Sequence, residues 1–224
     1  MRVETSVSSV VESFSISEDQ LKLGLWMFLA TVTMLFAAFA SAYVVRRSGS
    51  DWRHVPLPSI LWWNTLILAA SSAAVETASY VGQAFPPSLR YGEARRSAKR
   101  GGGKPASSSK PKGLHYTRMA SAAAMLVAFA LGAAFLAGQF EAWRQLRAAG
   151  VYLPTNPHSS FFFMLTGAHA IHIVAALAVL AWGAAGATSV RDPRGWASRI
   201  SICRTFWHYL GGVWLFLFAL VSLY

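Results

Sequence analysis

Charge is scarce in this sequence, and acid is scarcer than base. Only 13% of the 224 residues are Asp, Glu, Lys or Arg, against roughly 25% in a soluble domain. Aliphatic and aromatic residues make up 54%, too much apolar surface for so few charges to keep in water. Cys203 is the single cysteine, so no internal disulfide, cysteine-based zinc site or iron–sulfur cluster can form within the chain. Nine acidic residues stand against 20 basic ones, and no Asp, Glu or Lys lies deep inside an apolar run, which weakens a carboxylate proton relay. No internal repeat is present.

Apolar runs of about bilayer length are present instead, near the ~20 residues that a spanning helix needs. Five occur, at 23–45, 57–80, 117–139, 161–184 and 200–224. The expected fold is all-α: an integral membrane bundle of five transmembrane helices over residues 23–224, preceded by a tail at 1–22. The first run carries "AAFASA", which resembles a signal cleavage site. Its apolar core is too long for a signal peptide, and Glu4, Glu12, Glu18 and Asp19 stand where a basic segment would be needed. It reads as a retained span.

Basic residues set the expected orientation. With five spans, the tail, the 81–116 loop and the loop near Arg191 share one side and hold 15 of the 20 Lys and Arg residues. Arg46, Arg47, Arg53, Arg144 and Arg147 lie opposite. The positive-inside rule then puts the N-terminus in the cytoplasm and Tyr224 outside. The loop core "RRSAKRGGGKPASSSKPK" has nothing apolar to bury and is expected to be disordered. It reads as a topology determinant touching anionic headgroups; without interleaved aromatics for base stacking, nucleic acid is not an expected partner.

Polar residues in the spans narrow the function. Asn64, Thr65, Ser71 and Ser72 suit hydrogen bonds across helices, and Glu76 reads as a snorkelling carboxylate at the cytoplasmic end. Gln139 and Glu141 fall near the outer interface, where either a solvated helix end or a bond to a neighbouring helix explains Glu141. His169 and His172 share one helix face. With the fourth span starting at Ser159, His172 lies about 20 Å into a core of about 30 Å. His208 on the fifth span lies about 12 Å from the inner surface, a similar depth. Gly167, Gly211 and Gly212 leave room for close helix packing. Three readings fit these imidazoles: inter-helix hydrogen bonding, axial ligation of a b-type haem by His172 and His208, and proton transport.

The stretch "SFFFMLTGAHAIHIVAA" resembles the Phe-rich Thr-Gly-x-His-x-x-His-Val helix of subunit III of the haem–copper respiratory (cytochrome c) oxidases. "FWHYLGGVWLFLFALVSLY" resembles that family's Trp-His-Phe helix with its Val-Trp-x-x-Leu-Phe continuation. "LGLWMFLATVTMLFAAFASAYVVRR", "LPSILWWNTLILAASS" and "GQFEAW" follow the family's other landmarks in order. There are departures. Thr31 and Val32 stand where the family commonly has Ser-Glu, Gly211 where it has Asp, and Ala170 where it has Gly between the histidines.

The resemblance implies the five-helix form of the family, in a bacterial inner membrane. It implies an accessory subunit without cofactors of its own, with haem and copper held by partner subunits I and II of a proton-pumping complex that reduces O2 to water. The complex is an oxidoreductase and translocase; this chain carries no catalytic centre in that reading. It would pack on subunit I, hold phospholipids, support proton uptake and protect the active site. His169, His172, Trp207, His208 and Glu141 are then structural or proton-network candidates, with the three histidines expected to tie the last two helices together. A subunit III-like partner of a nitric oxide reductase and a free-standing b-type cytochrome using His172 and His208 are the alternatives.

Overall fold

The computed structural model describes residues 18–53, 55, 57–83, 112–154, 156–189 and 193–223. Residues 1–17 and 84–111, which carry most of the tail and of the basic loop, lie outside the described residues. Five α-helices make up the fold: α1 Glu18–Arg46, α2 Ile60–Gln83, α3 Lys112–Ala148, α4 Pro157–Ser189 and α5 Pro193–Leu223. Among the described residues there is no strand.

Each helix coincides with an expected span, but most run past its limits. The largest extension is at the C-terminal end of α3, where "FEAWRQLRA" adds turns beyond Gln139; the inner and outer sides are those expected from the basic residues. These residues are amphipathic: Ala142 and Leu146 are buried, while Arg144 and Arg147 are exposed. The helix stops at Gly150, whose φ of 78° is open to glycine. The Gly150 N–H donates to Arg147 and that of Val151 to Leu146, a Schellman ending. α4 starts earlier than expected because Asn156 caps it: its Oδ1 accepts from the Ser159 N–H at 3.1 Å, and Pro157 takes the first helical position.

α2 lies along α3, α3 along α4, α4 along α5, and α5 returns to α2, closing a four-helix ring. α1 sits outside that ring against α4 and α5. Four helices, Gln20–Arg46, Tyr116–Ala148, Pro157–Gly186 and Gly195–Leu223, are long and apolar enough to cross a membrane by length and composition. α2 falls outside that set, its hydropathy lowered by Asn64, Thr65, Ser71, Ser72 and Glu76. It nonetheless tracks α3 through the same layer. Ser71 Oγ donates to the Ala128 carbonyl at 2.9 Å and Ser121 Oγ to that of Ala78 at 3.0 Å. Both bonds satisfy hydroxyls that lipid could not.

Absent side chains govern how closely the helices approach. At Gly132 of α3 a Cβ would come within 2.5 Å of the Trp207 ring and 2.8 Å of Leu177. At Gly183 of α4 it would meet Cys203 Sγ at 2.6 Å. The glycines expected to fill this role lie elsewhere. Within this chain, Gly167 and Gly212 face open space, and Gly211 would meet only Ser72 Oγ at 3.7 Å. The depth argument placed them suitably along the helix axis, but helix rotation turns them away from the interior contacts. Gly132→Leu should therefore destabilise the detergent-solubilised chain by about 1–3 kcal/mol through overpacking. Gly167→Ala should be neutral or stabilising by up to ~1 kcal/mol from helix propensity. Thermal unfolding of the two variants checks the order, and equal losses would contradict it.

Candidate functional site

Three polar groups stand at three levels of the bundle. At the inner end, Glu76 of α2 reaches α5. Its Oε1 accepts a hydrogen bond from Arg204 Nε at 2.8 Å, and His208 Nε2 lies 2.8 Å from the same oxygen, off the line of a hydrogen bond. Roughly half of the Glu76 and Arg204 side chains remain exposed. Glu76 is thus more than a snorkelling carboxylate: it joins α2 to α5, one helical turn from Ser72 and the open side of Gly211. The chain lacks a carboxylate at 32 and 211, and His208 meets one from another helix.

The middle level belongs to His169 and His172, which diverge despite sharing a helix face. His169 is completely buried. Its ring packs on Trp214 of α5 at 5.4 Å and an interplanar angle of 30°, and against Phe36 of α1 and Phe135 of α3. His172 turns toward α1, with its ring 5.6 Å from Phe36 and 6.2 Å from Phe28. Its Nδ1 pairs with the Ala168 carbonyl of its own helix at 2.7 Å.

No hydrogen bond among the described residues links His169, His172 and His208, contrary to the expectation that they fasten α4 to α5. Spacing gives their depth but not the direction each ring takes. The fastening is done by other groups. Cys203 Sγ donates to the Val179 carbonyl at 3.3 Å, and the His169 ring packs on Trp214. Trp207 is buried where its ring covers Gly132. α5 also ties to α1 through Tyr209, whose hydroxyl lies 2.7 Å from Thr33 Oγ1 and donates to the Leu29 carbonyl at 3.2 Å. Nothing in the sequence singled out Tyr209 or Ser121; only the helix registers, parallel for α1 and α5 and antiparallel for α2 and α3, reveal their partners.

At the outer level Glu141 sits on a half-exposed surface, 3.4 Å from Arg144 and accepting from Gln145, so the solvated reading fits it. Gln139 departs from expectation: it is fully buried, because α3 continues for more than two turns beyond it. Trp143 Nε1 donates to Thr166 Oγ1 at 3.1 Å, joining α3 to α4. Tyr43, Trp52, His158 and Phe161 form an aromatic cluster beneath the outer loops, with Tyr43 and Trp52 edge to face at 5.0 Å. Above it, Arg46 grips Asp51 by two bonds of 2.8 and 2.5 Å. Among the described residues, no three His, Cys, Asp or Glu side chains gather as a metal site.

The bundle and its internal polar ties define a multi-pass helical membrane protein. Residues 113–224 match the family described as cytochrome c oxidase subunit III, which is half of the chain. The chain belongs to that family. It is 28% identical over 213 residues to the cytochrome bo(3) ubiquinol oxidase subunit 3 of Pseudomonas aeruginosa, covering 89% of this chain and 83% of that protein. It is 24% identical over 96 residues to the "Probable cytochrome c oxidase subunit 3" of both Mycobacterium tuberculosis and Mycobacterium bovis, covering 43% of this chain and 47% of those proteins. The match thus spans about half the length of the mycobacterial relatives.

The hydrogen bonds from Arg46 hold the Asp51 carboxyl below its usual 3.8, against a smaller effect of burial. The folded value is the lower one, so the pair's contribution is present above the unfolded value and is lost as pH falls through the folded one. Both groups are exposed, which keeps the contribution small and salt-sensitive. Asp51→Asn should speed amide exchange in the 47–53 turn at neutral pH, after correction for intrinsic rates. The difference from the unaltered chain should begin to shrink as pH falls below about 4 and vanish once pH is below the folded value; a difference that persists through that range would contradict the assignment.

Proposed function

We propose that this chain is the accessory subunit III of a proton-pumping haem–copper terminal oxidase in a bacterial inner membrane. In this reading the N-terminus is cytoplasmic and the C-terminus is outside. The chain docks on subunits I and II, which hold the haem and copper, and phospholipids cover its remaining apolar faces. The observation that carries the proposal is the family match across α3, α4 and α5, the helices that bear His169, His172, Trp207 and His208. The near full-length similarity to a ubiquinol oxidase subunit 3 supports it further.

Within such a complex the chain's own residues hold helices together and present titratable groups at one surface. Glu76, Arg204 and His208 cluster at the end of the bundle assigned to the cytoplasm, where protons for the reaction would enter. That cluster supports a role in proton uptake. A free-standing cytochrome gains no support from the geometry, since His172 and His208 turn to different neighbours. A nitric oxide reductase partner would differ only in the catalytic subunit, and the relatives' names speak for an oxidase.

Mild detergent extraction of the tagged chain should bring down a haem–copper catalytic subunit in near-equal amount. His172→Leu removes a ring that packs between α4 and α1, so less of the chain should remain with the complex after washing. Haem per catalytic subunit should stay unchanged. Recovery of the chain without any haem–copper subunit would refute the proposal, and loss of haem on His172→Leu would refute the structural role of that residue.

A further inference from the structure

The outer half of the bundle contains polar atoms that no described interaction matches. Asn64 of α2, Gln139 of α3 and His169 of α4 are each no more than 1% exposed. Asn64 Nδ2, both polar atoms of the Gln139 amide and both ring nitrogens of His169 make no hydrogen bond.

Their neighbours place these groups on adjoining turns of α2, α3 and α4. Gln139 stands one turn beyond Phe135 and one turn before Trp143, on the α3 stripe that faces α4. Phe135 meets the His169 ring at 6.1 Å, and Trp143 donates to Thr166, one turn outward of His169. Gln139 is therefore held between those levels, facing the His169 turn of α4. Asn64 enters from the other side of α3. Its amide occupies the space beside Gly138, where a Cβ would come within 2.0 Å of Oδ1. Its neighbour Thr65 accepts from Trp214 Nε1 at 3.1 Å, and the Trp214 ring lies on His169.

A neutral imidazole offers one donor and one acceptor, and a primary amide offers both as well. In hydrocarbon no outside partner is available, and native proteins match nearly all of their buried polar groups. With two amides, a neutral ring and no carboxylate, the donor set suits water better than a cation. A buried water commonly makes about three hydrogen bonds to such groups. We propose that the Asn64–Gln139–His169 node is a binding site for ordered water, one molecule bridging the Gln139 amide to the His169 ring. For the water to enter, the Gln139 side-chain torsions would rotate to make room. The bridge sets which ring nitrogen carries the proton and links α3 to α4 through one solvent molecule. It holds whatever complex the chain joins, so its test is separate from that of the oxidase reading.

A density map of the assembled complex fine enough to place water should show a peak within hydrogen-bond distance of both Gln139 and His169. In the same complex in mild detergent, Gln139→Leu and His169→Phe should each speed thermal unfolding by roughly fivefold or more, and the double variant should unfold no faster than either single, as expected of coupled partners. Variants that unfold no faster than the unaltered chain, or single effects that multiply in the double variant, would overturn the proposal. So would a map in which Gln139 bonds His169 directly.

Discussion

Lipid on all sides removes the hydrophobic drive that packs helices in water, so a bundle of this kind coheres through shape and hydrogen bonds. The contacts of this chain follow that constraint. Trp207 of α5 settles where Gly132 of α3 has no side chain, and Cys203 does the same at Gly183. Each such contact brings two helix axes closer than ordinary side chains allow, and dispersion gains accumulate over the shared surface. The serine hydroxyls of α2 and α3 donate to each other's backbone across that short gap.

Polar groups are distributed by depth. Arg46 meets Asp51 just past the end of α1, and Glu76 meets Arg204 about a third of the way along α5, with both side chains still half exposed. The centre holds uncharged polar groups among aromatic rings, with His169 between Phe135, Phe36 and Trp214. That gradient is the one that the cost of charge in a bilayer imposes. α1 is the exception in the packing. Among the described residues its main contacts are with α4 and α5, through Tyr209 and the Phe28 and Phe36 rings, and many of its large apolar side chains are exposed. A helix attached in this way suits a subunit that completes its packing within a larger assembly.

Apolar runs of bilayer length made the five helices legible in the sequence, α2 least directly because its polar residues dilute the run. Hydropathy was a poorer guide to their ends. The outer turns of α3 are amphipathic, so they fall below a membrane hydropathy threshold while remaining helical, and the Gly150 stop shows only once the cap is considered. That one extension converts Gln139 from an interfacial residue into a buried one. The histidines were legible as a shared face at a suitable depth. Their partners were not, because spacing fixes axial height and leaves helix rotation free. The same ambiguity misassigned the packing glycines: Gly132, Gly138 and Gly183 do what Gly167 and Gly212 were expected to do. Glu76 was noticed as a carboxylate near the surface, but its reach to α5 depends on α5 returning beside α2, a feature of ring closure that no local pattern encodes.

In the proposed function the imidazoles and amides of this membrane bundle serve protein structure rather than electron transfer. The absorption spectrum of the chain, expressed and isolated apart from other subunits, tests it most directly. A structural role for these groups predicts a preparation with ultraviolet absorbance from its tryptophans and no Soret band. A Soret band corresponding to one haem per chain, lost on replacing His172 or His208, would contradict it.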